Sequence, residues 1–341
     1  MAYRILVFGA GVIGSIYALR LAKAGHAVTV LARGDRLESL RRSGLRIRNV
    51  FTGEAESAAV EILEELAPDA AFDLALVALR SGQVLGALSR LGAMPGIAAI
   101  LAVGNNLEEL GAEAEAAGRA RLVLGFGAFG GYREGDAIAY LDGRTKEKPG
   151  PEAIAPTTVG LVSEEAQPAL ESAKAILASA GLRCRESPDI AAYFACHAAL
   201  VFPLAGAMYA AGGDQARFCR TRDAIVLGIR ACKEAMRALR DTGCALEPRS
   251  LGTLLAMPEW ILAPLLARRF AGEGARVAMF GHANAPGGRS EIGGQARLLD
   301  ARLNKSRRPC PSWDQLLPWF DAARAPAPLP EGSRELRLRV W

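Results

Sequence analysis

Three glycines, Gly9, Gly11 and Gly14, follow the apolar run Ile5-Leu6-Val7-Phe8, and after them Ile13, Ile16, Tyr17, Leu19, Leu21 and Ala22 recur at near-helical spacing until Gly25. A short, nearly continuous apolar run reads as a strand covered on both faces, and the periodicity after it reads as a helix closed by glycine. A second apolar run, Ala27 to Leu31, completes strand, turn, helix, strand. The right-handed crossover rule makes such strands parallel neighbours in a sheet. At that junction G-x-G-x-x-G has a mechanical meaning. The first glycine permits the tight turn, the second lets backbone approach a diphosphate, and the third lets the helix pack closely on the sheet. Amides at the helix start, with the helix dipole behind them, face the phosphate charge. Gly9, Ala10, Gly11, Val12, Ile13 and Gly14 are therefore the candidate dinucleotide-binding residues.

The end of the second strand separates the two nicotinamide cofactors, because an NAD site usually carries a carboxylate there for the ribose hydroxyls. Here the chain reads Leu31-Ala32-Arg33-Gly34-Asp35-Arg36. A guanidinium at Arg33 suits a 2′-phosphate, which it can grip with two bonds. The reading is NADP(H), against the alternative that Arg33 is a solvated loop residue.

Further strands are expected at Leu74–Leu79, Ala98–Val103, Leu122–Gly125 and Thr157–Val162, with a helix at Glu165–Ala180. The looser stretch beyond Gly130 reads as the ragged outer edge of the sheet. After Pro188 the strands stop and long Ala-, Leu- and Arg-rich helical stretches take over. The expected architecture is α/β: an N-terminal doubly wound Rossmann domain over 1–187 and an all-helical domain over 188–341. One helix is expected from Arg220 to Gly243, and an extended tail from Ala325 through Pro326, Pro328 and Pro330.

A chain of 341 residues with 51% hydrophobic and 23% charged residues fits two domains with separate cores. No window reads as about 20 uninterrupted apolar positions, so no membrane span is expected. Met1-Ala2-Tyr3-Arg4 leads into the first strand without a cleavage-site pattern, and the expected location is the cytoplasm. Six scattered cysteines form no CxxC pair or Cys/His cluster, so they read as reduced thiols, and no metal site is expected. The net charge of +5 is dispersed and lacks interleaved aromatics. That argues against nucleic acid and suits an anionic small-molecule substrate. Arg41, Arg42, Arg46 and Arg48 read as an exposed face at the sheet edge. The four tryptophans, all in the second half, suggest packing or a homodimer contact.

Taken together, these residues resemble the ketopantoate reductase family. The resemblance is carried by Gly9 to Gly14, Leu31-Ala32-Arg33, Val77-Ala78-Leu79-Arg80-Ser81-Gly82-Gln83-Val84, Gly104 with Glu108-Glu109, Thr158-Val159-Gly160, Pro203-Leu204, and Ser290-Glu291-Ile292 with Pro311 downstream. It implies a Rossmann domain followed by a helical domain, and reduction of a small, 2-dehydropantoate-like 2-oxo acid by NADPH. It also implies cofactor contacts at Arg80, where the family has lysine, and at Val103-Gly104, where the family has Asn-Gly. Glu291 matches the family's acidic residue that faces cofactor and substrate.

The departures fall at the chemistry. Phe194, Ala198 and Phe202 stand where the family carries its general-acid lysine and two asparagines, and Met279 where it has a substrate-binding serine. A hydride reaching a carbonyl leaves charge on oxygen and calls for a proton donor. His197, one helical turn after Phe194, is the candidate acid, with Tyr193 a weaker one and a core histidine the alternative. Asn105 and Asn106 could replace the missing asparagine. In the stretch 280–291, read as a site loop before a helix near Ile292, His282, Asn284 and Ser290 are candidate substrate contacts and Arg289 a carboxylate partner. The plainer reading of that stretch is a solvated loop with Ser290 capping the helix. Two other functions compete with a 2-oxo acid reductase: an opine-dehydrogenase-like imine reductase, which a histidine would suit, and a dinucleotide-binding protein without catalysis.

Overall fold

The computed structural model describes residues 2–339 except Asn106, Glu108, Ala128 and Pro286, and gives only the backbone of His282. The chain divides into two compact units, residues 1–190 and 191–341.

In the first unit the strands are β1 (Arg4–Phe8), β2 (Ala27–Leu31), β3 (Leu45–Asn49), β4 (Ala55–Ala58), β5 (Glu61–Leu63), β6 (Leu74–Val77), β7 (Ile100–Val103), β8 (Leu122–Phe126), β9 (Gly130–Glu134), β10 (Ala137–Leu141), β11 (Thr157–Leu161) and β12 (Cys184–Glu186). The helices are α1 (Val12–Lys23), α2 (Gly34–Ser43), α3 (Ser81–Gly92), α4 (Leu110–Ala117) and α5 (Gln167–Ser179). The main sheet runs β12-β11-β8-β7-β6-β1-β2-β5, and its six strands from β8 to β5 are mutually parallel. β11 joins antiparallel to β8. The chain winds outward from β1 in both directions, which places a crevice at the carboxyl ends of β1 and β6. Ile5, Leu6, Leu74, Leu76 and Leu101 have no accessible surface, as strands covered on both faces require.

Gly130 onward is not a ragged edge. β9 and β10 join β3 and β4 in a separate four-stranded sheet, ordered β4-β3-β10-β9. The two pairings are antiparallel hairpins, and β10 lies parallel to β3. β3 reads Leu-Arg-Ile-Arg-Asn with Leu45, Ile47 and Asn49 buried, so Arg46 and Arg48 take the outer face, as expected. Ion pairs to the buried Glu56 tie this sheet to α1. Arg20 meets Glu56 at 2.8 Å, Lys23 meets Glu56 at 2.6 Å, and Arg144 meets Asp142 at 2.9 Å and the Tyr140 hydroxyl at 2.7 Å. Burial alone would raise the Glu56 pKa, but Lys23 and Arg20 outweigh it and hold the carboxyl below its ordinary range. α1 is thus fixed from both sides, because the Tyr17 hydroxyl also meets Thr157 Oγ1 of β11 at 2.6 Å.

The second unit is helical: α6 (Ile190–Ala210), α7 (Gln215–Arg220), α8 (Arg222–Asp241), α9 (Leu251–Ala256), α10 (Glu259–Phe270), α11 (Glu273–Ala275), a π-helical turn at Arg276–Phe280, α12 (Gly281–Ala283), α13 (Gly288–Asn304) and α14 (Pro311–Leu316). α6, 21 residues long, is by length and composition apolar enough to cross a membrane, which the sequence reading did not anticipate; 78% of its most apolar window is buried within the protein. Trp313 and Trp319 are packed inside, whereas Trp260 is 58% exposed. The tail is extended, as expected, and docks by its backbone. The Asp223 carboxylate accepts from the amides of Glu335 and Leu336, and Glu259, paired with Arg230, accepts from the Arg339 amide at 2.8 Å.

Candidate functional site

At the carboxyl edge of the main sheet each glycine of the turn has a separate structural duty. Gly9 has φ +112°, and a Cβ there would lie 2.4 Å from the Ala78 carbonyl oxygen after β6. The turn is pressed against the neighbouring strand end, and the Ala78 amide donates to Phe8 O at 2.9 Å. A Cβ on Gly14 would lie 1.9 Å from Gly9 O, so helix and turn touch backbone to backbone. Gly11 is different, because a Cβ there meets nothing within 4 Å. Gly11 also caps α1 without a side-chain hydrogen bond, and the first turn of α1 holds no acidic residue. First-turn amides have no partner inside their own helix. Those of Val12 and Ile13 therefore flank an open space over Gly11. That geometry fits a diphosphate and needs no side chain to move.

Arg33 follows β2, whose Leu31 is in register with Phe8 of β1. It is exposed, caps α2 and enters no ion pair among the described residues. Arg33 thus follows the strand that pairs with β1, two residues past the partner of Phe8. Arg36, one turn further, was missed as a site residue. Its Nε donates to the Ala10 carbonyl at 2.9 Å, and its Nη atoms to Ser15 Oγ at 3.0 Å and the Asp136 carbonyl at 3.0 Å. Burial, then the nearby Arg133, lower its pKa to about 10 against the opposing pull of Asp136. Such a contact joins residues 26 positions apart, and no local pattern announces it.

Arg80 is exposed and caps α3, directly after the β6 end that supports the turn. Val103 is 5% exposed and belongs to the hydrophobic core, so only its backbone can face a ligand. Gly104 continues the edge of β7, its amide donating to Gly125 O at 3.1 Å. Gly9 to Gly14, Arg33, Arg80 and Gly104 are thus gathered at one end of one sheet. Asn106, suggested as a replacement polar contact, lies outside the described residues.

The helical unit holds the remaining candidates. Phe194, Ala198 and Phe202 on α6 are all buried. His197 stacks on Tyr193 with ring centroids 6.4 Å apart, and burial pulls its pKa down to about 4. At pH 7 only about one imidazole in a thousand then carries the extra proton. That favours the neutral imidazole, as the core-histidine alternative also would. The buried Lys233, its pKa lowered to about 8 chiefly by burial, donates to the Met257 carbonyl.

The stretch 280–291 is not a loop leading to a helix near Ile292. α13 starts at Gly288, four residues earlier, because Gly287 takes φ +77° and turns the chain straight into the helix. Ser290 therefore sits inside the first turn and caps nothing, and Glu291 shares that turn. Asn284 donates to the Gly213 carbonyl at 3.0 Å. The His282 side chain falls outside the described residues. All six cysteines are unpaired.

These features define the class: a doubly wound Rossmann domain followed by a helical domain. The family model described as ketopantoate reductase PanE/ApbA matches residues 5–151, in line with the resemblance read from the sequence. No curated protein matches the sequence. Solved structures are similar over nearly the whole chain. A PanE/ApbA family ketopantoate reductase from Ralstonia eutropha has 19% identity and TM-score 0.67, covering 93% of this chain and 97% of its own. A 2-dehydropantoate 2-reductase from Geobacter metallireducens has 18% identity and TM-score 0.68, covering 94% and 99%. The ternary structure of D-mandelate dehydrogenase with NADH and anilino(oxo)acetate has 14% identity and TM-score 0.69, covering 93% and 96%. At these identities the likeness establishes the shared fold.

Proposed function

We propose that this chain is an oxidoreductase that reduces the carbonyl of a small 2-oxo acid to the hydroxy acid with a nicotinamide dinucleotide, NADPH in preference to NADH. The observation that carries the reading is the open space over Gly11, rimmed by uncapped helix amides and placed where the strand order reverses. The preference for NADPH rests on Arg33, exposed and without an ion-pair partner among the described residues, in place of a carboxylate. Reductases of 2-dehydropantoate and a D-mandelate dehydrogenase with NADH among the structural neighbours support the reaction class.

When bound, a reduced nicotinamide supplies the hydride. This chain's residues do the rest. The Val12 and Ile13 amides would hold the diphosphate and Arg33 the ribose phosphate, with Arg80 and the Val103-Gly104 backbone as further cofactor contacts. Neutral His197 acts as a hydrogen-bond donor, with Glu291, His282, Asn284 and Ser290 as polar groups toward substrate. A second reading, dinucleotide binding without turnover, draws on the buried apolar residues that stand on α6 in place of the family's lysine and asparagines, and on the low pKa of His197.

Calorimetric titration tests the proposal. NADPH is expected to bind tighter than NADH. Arg33→Ser is expected to weaken NADPH by about 10- to 150-fold, the equivalent of one charge-assisted contact, while leaving NADH unchanged. Consumption of NADPH with a panel of 2-oxo acids then decides between the two readings. Absence of binding for both nucleotides defeats both.

A further inference from the structure

The helical unit contains a cavity of about 490 Å³, lined among others by Tyr209, Asn284, Arg289, Ser290, Trp319 and Pro328. That size is ordinary for a small-molecule site. We propose that this cavity binds the carboxylate of a small organic acid bearing a bulky apolar or aromatic group, with Arg289 as the anchoring cation. The assignment uses residues of the helical unit alone; it shares Asn284 and Ser290 with the substrate contacts proposed above and does not depend on the dinucleotide site.

Arg289 is partly buried and has no carboxylate partner among the described residues. Its Cζ lies 4.5 Å from the centre of the Tyr209 ring, and its Nε donates to the Trp319 carbonyl at 3.1 Å, with one Nη2 proton directed to the same oxygen. A guanidinium has five N–H donors. Three of them remain, held in a plane by the ring beneath and the carbonyl beside it, which is the geometry that grips a carboxylate with two parallel bonds. A cation removed from water without a counter-charge is costly, and an anionic ligand would cancel that cost.

Trp319 provides a second, separate sign. It is 6% exposed, it lines the cavity, and its indole Nε1–H is buried with no hydrogen-bond acceptor among the described residues. Buried indole donors ordinarily find a partner, and the wall of this cavity carries one that has none among the described residues. Ser290 adds a hydroxyl and Asn284 a carboxamide already braced on Gly213. The remaining wall is apolar: the Tyr209 and Trp319 rings, with Pro326 and Pro328 of the tail, which is pinned there by Leu329 N–H donating to Ala210 O at 2.8 Å. One charged corner and an apolar wall select an acid with a bulky substituent over acetate.

The test uses the full chain with phenylacetate, its neutral isostere phenylacetamide, and acetate. Affinity is measured by calorimetry and by the Trp319 indole N–H resonance, assigned with Trp319→Phe. Phenylacetate is expected to bind and shift that resonance, with the other two at least about tenfold weaker. Arg289→Met is expected to lose about tenfold or more, and Arg289→Lys, which keeps the charge without the fork, to fall between. Ser290→Ala, on an exposed position, gives a milder loss in a variant that leaves the packing alone. Competition with phenylpyruvate on NADPH-saturated protein marks the cavity as the substrate's carboxylate site, and simultaneous binding marks it as a separate effector site; either upholds it. Equal affinity for phenylacetate and phenylacetamide, an Arg289→Met variant that binds like wild type, or no binding of phenylacetate at all overturns it. NADPH titration of the same samples reports separately on the proposed function.

Discussion

Replacing Gly11 and Gly14 in turn by alanine separates what a ligand demands of the glycine turn from what the fold demands. At Gly14 the new methyl would stand 1.9 Å from Gly9 O and 3.2 Å from Val7 Cγ1, so backbone must shift. Overpacking of this kind costs about 1–3 kcal/mol. At about 2–4 °C per kcal/mol for a unit of this size, Tm should fall by roughly 2–12 °C. At Gly11 the methyl meets nothing within 4 Å, and φ −71° suits any residue. The entropy gained by stiffening the unfolded chain, about 0.4–1 kcal/mol, roughly offsets the poorer cap, so Tm should barely move. The same methyl would fill the space assigned to the diphosphate, displacing one or two charge-assisted amide bonds at about 1.5–3 kcal/mol each. Nucleotide affinity should therefore fall by about tenfold or more. Thermal melts and calorimetric titration of both variants provide the measurement. A Gly11→Ala protein that binds NADPH like wild type, or that melts as early as Gly14→Ala, would refute the placement of the phosphates.

Two other outcomes follow from buried charges. Glu259→Ala strands Arg230, which is 6% exposed and bonded to Glu259 at 2.8 and 2.9 Å, and should cost about 3–5 kcal/mol in urea unfolding, with loosening of the tail around Arg339 visible by hydrogen exchange. His197 titrates near 6.5 when unfolded and near 4 when folded, so between those values the unfolded chain binds more protons and stability falls as pH drops, by about 3 kcal/mol at most. His197→Gln should flatten that slope in denaturation series run from pH 7.5 to about 4.5.

The N-terminal topology was legible because a parallel strand buried on both faces leaves an unbroken apolar run, and because the glycine spacing has a steric reason at each position. The second sheet was not legible. β10 pairs with β3 through Ile138 and Ile47, 91 positions apart, and each of these two strands is only five residues long. The early start of α13 was hidden in Gly287: a positive φ there turns a polar, glycine-bearing stretch into a helix N-terminus. Arg33 could be named from its place after β2, whereas Arg36, three residues on, does its work through contacts made only in the folded chain.

Because Arg36 bridges Ala10, Ser15 and Asp136, the glycine turn is braced by its own protein before any nucleotide arrives. On the proposed reading, capture would involve little loss of chain freedom, and encounter speed would follow long-range attraction between a cationic rim and a polyanion.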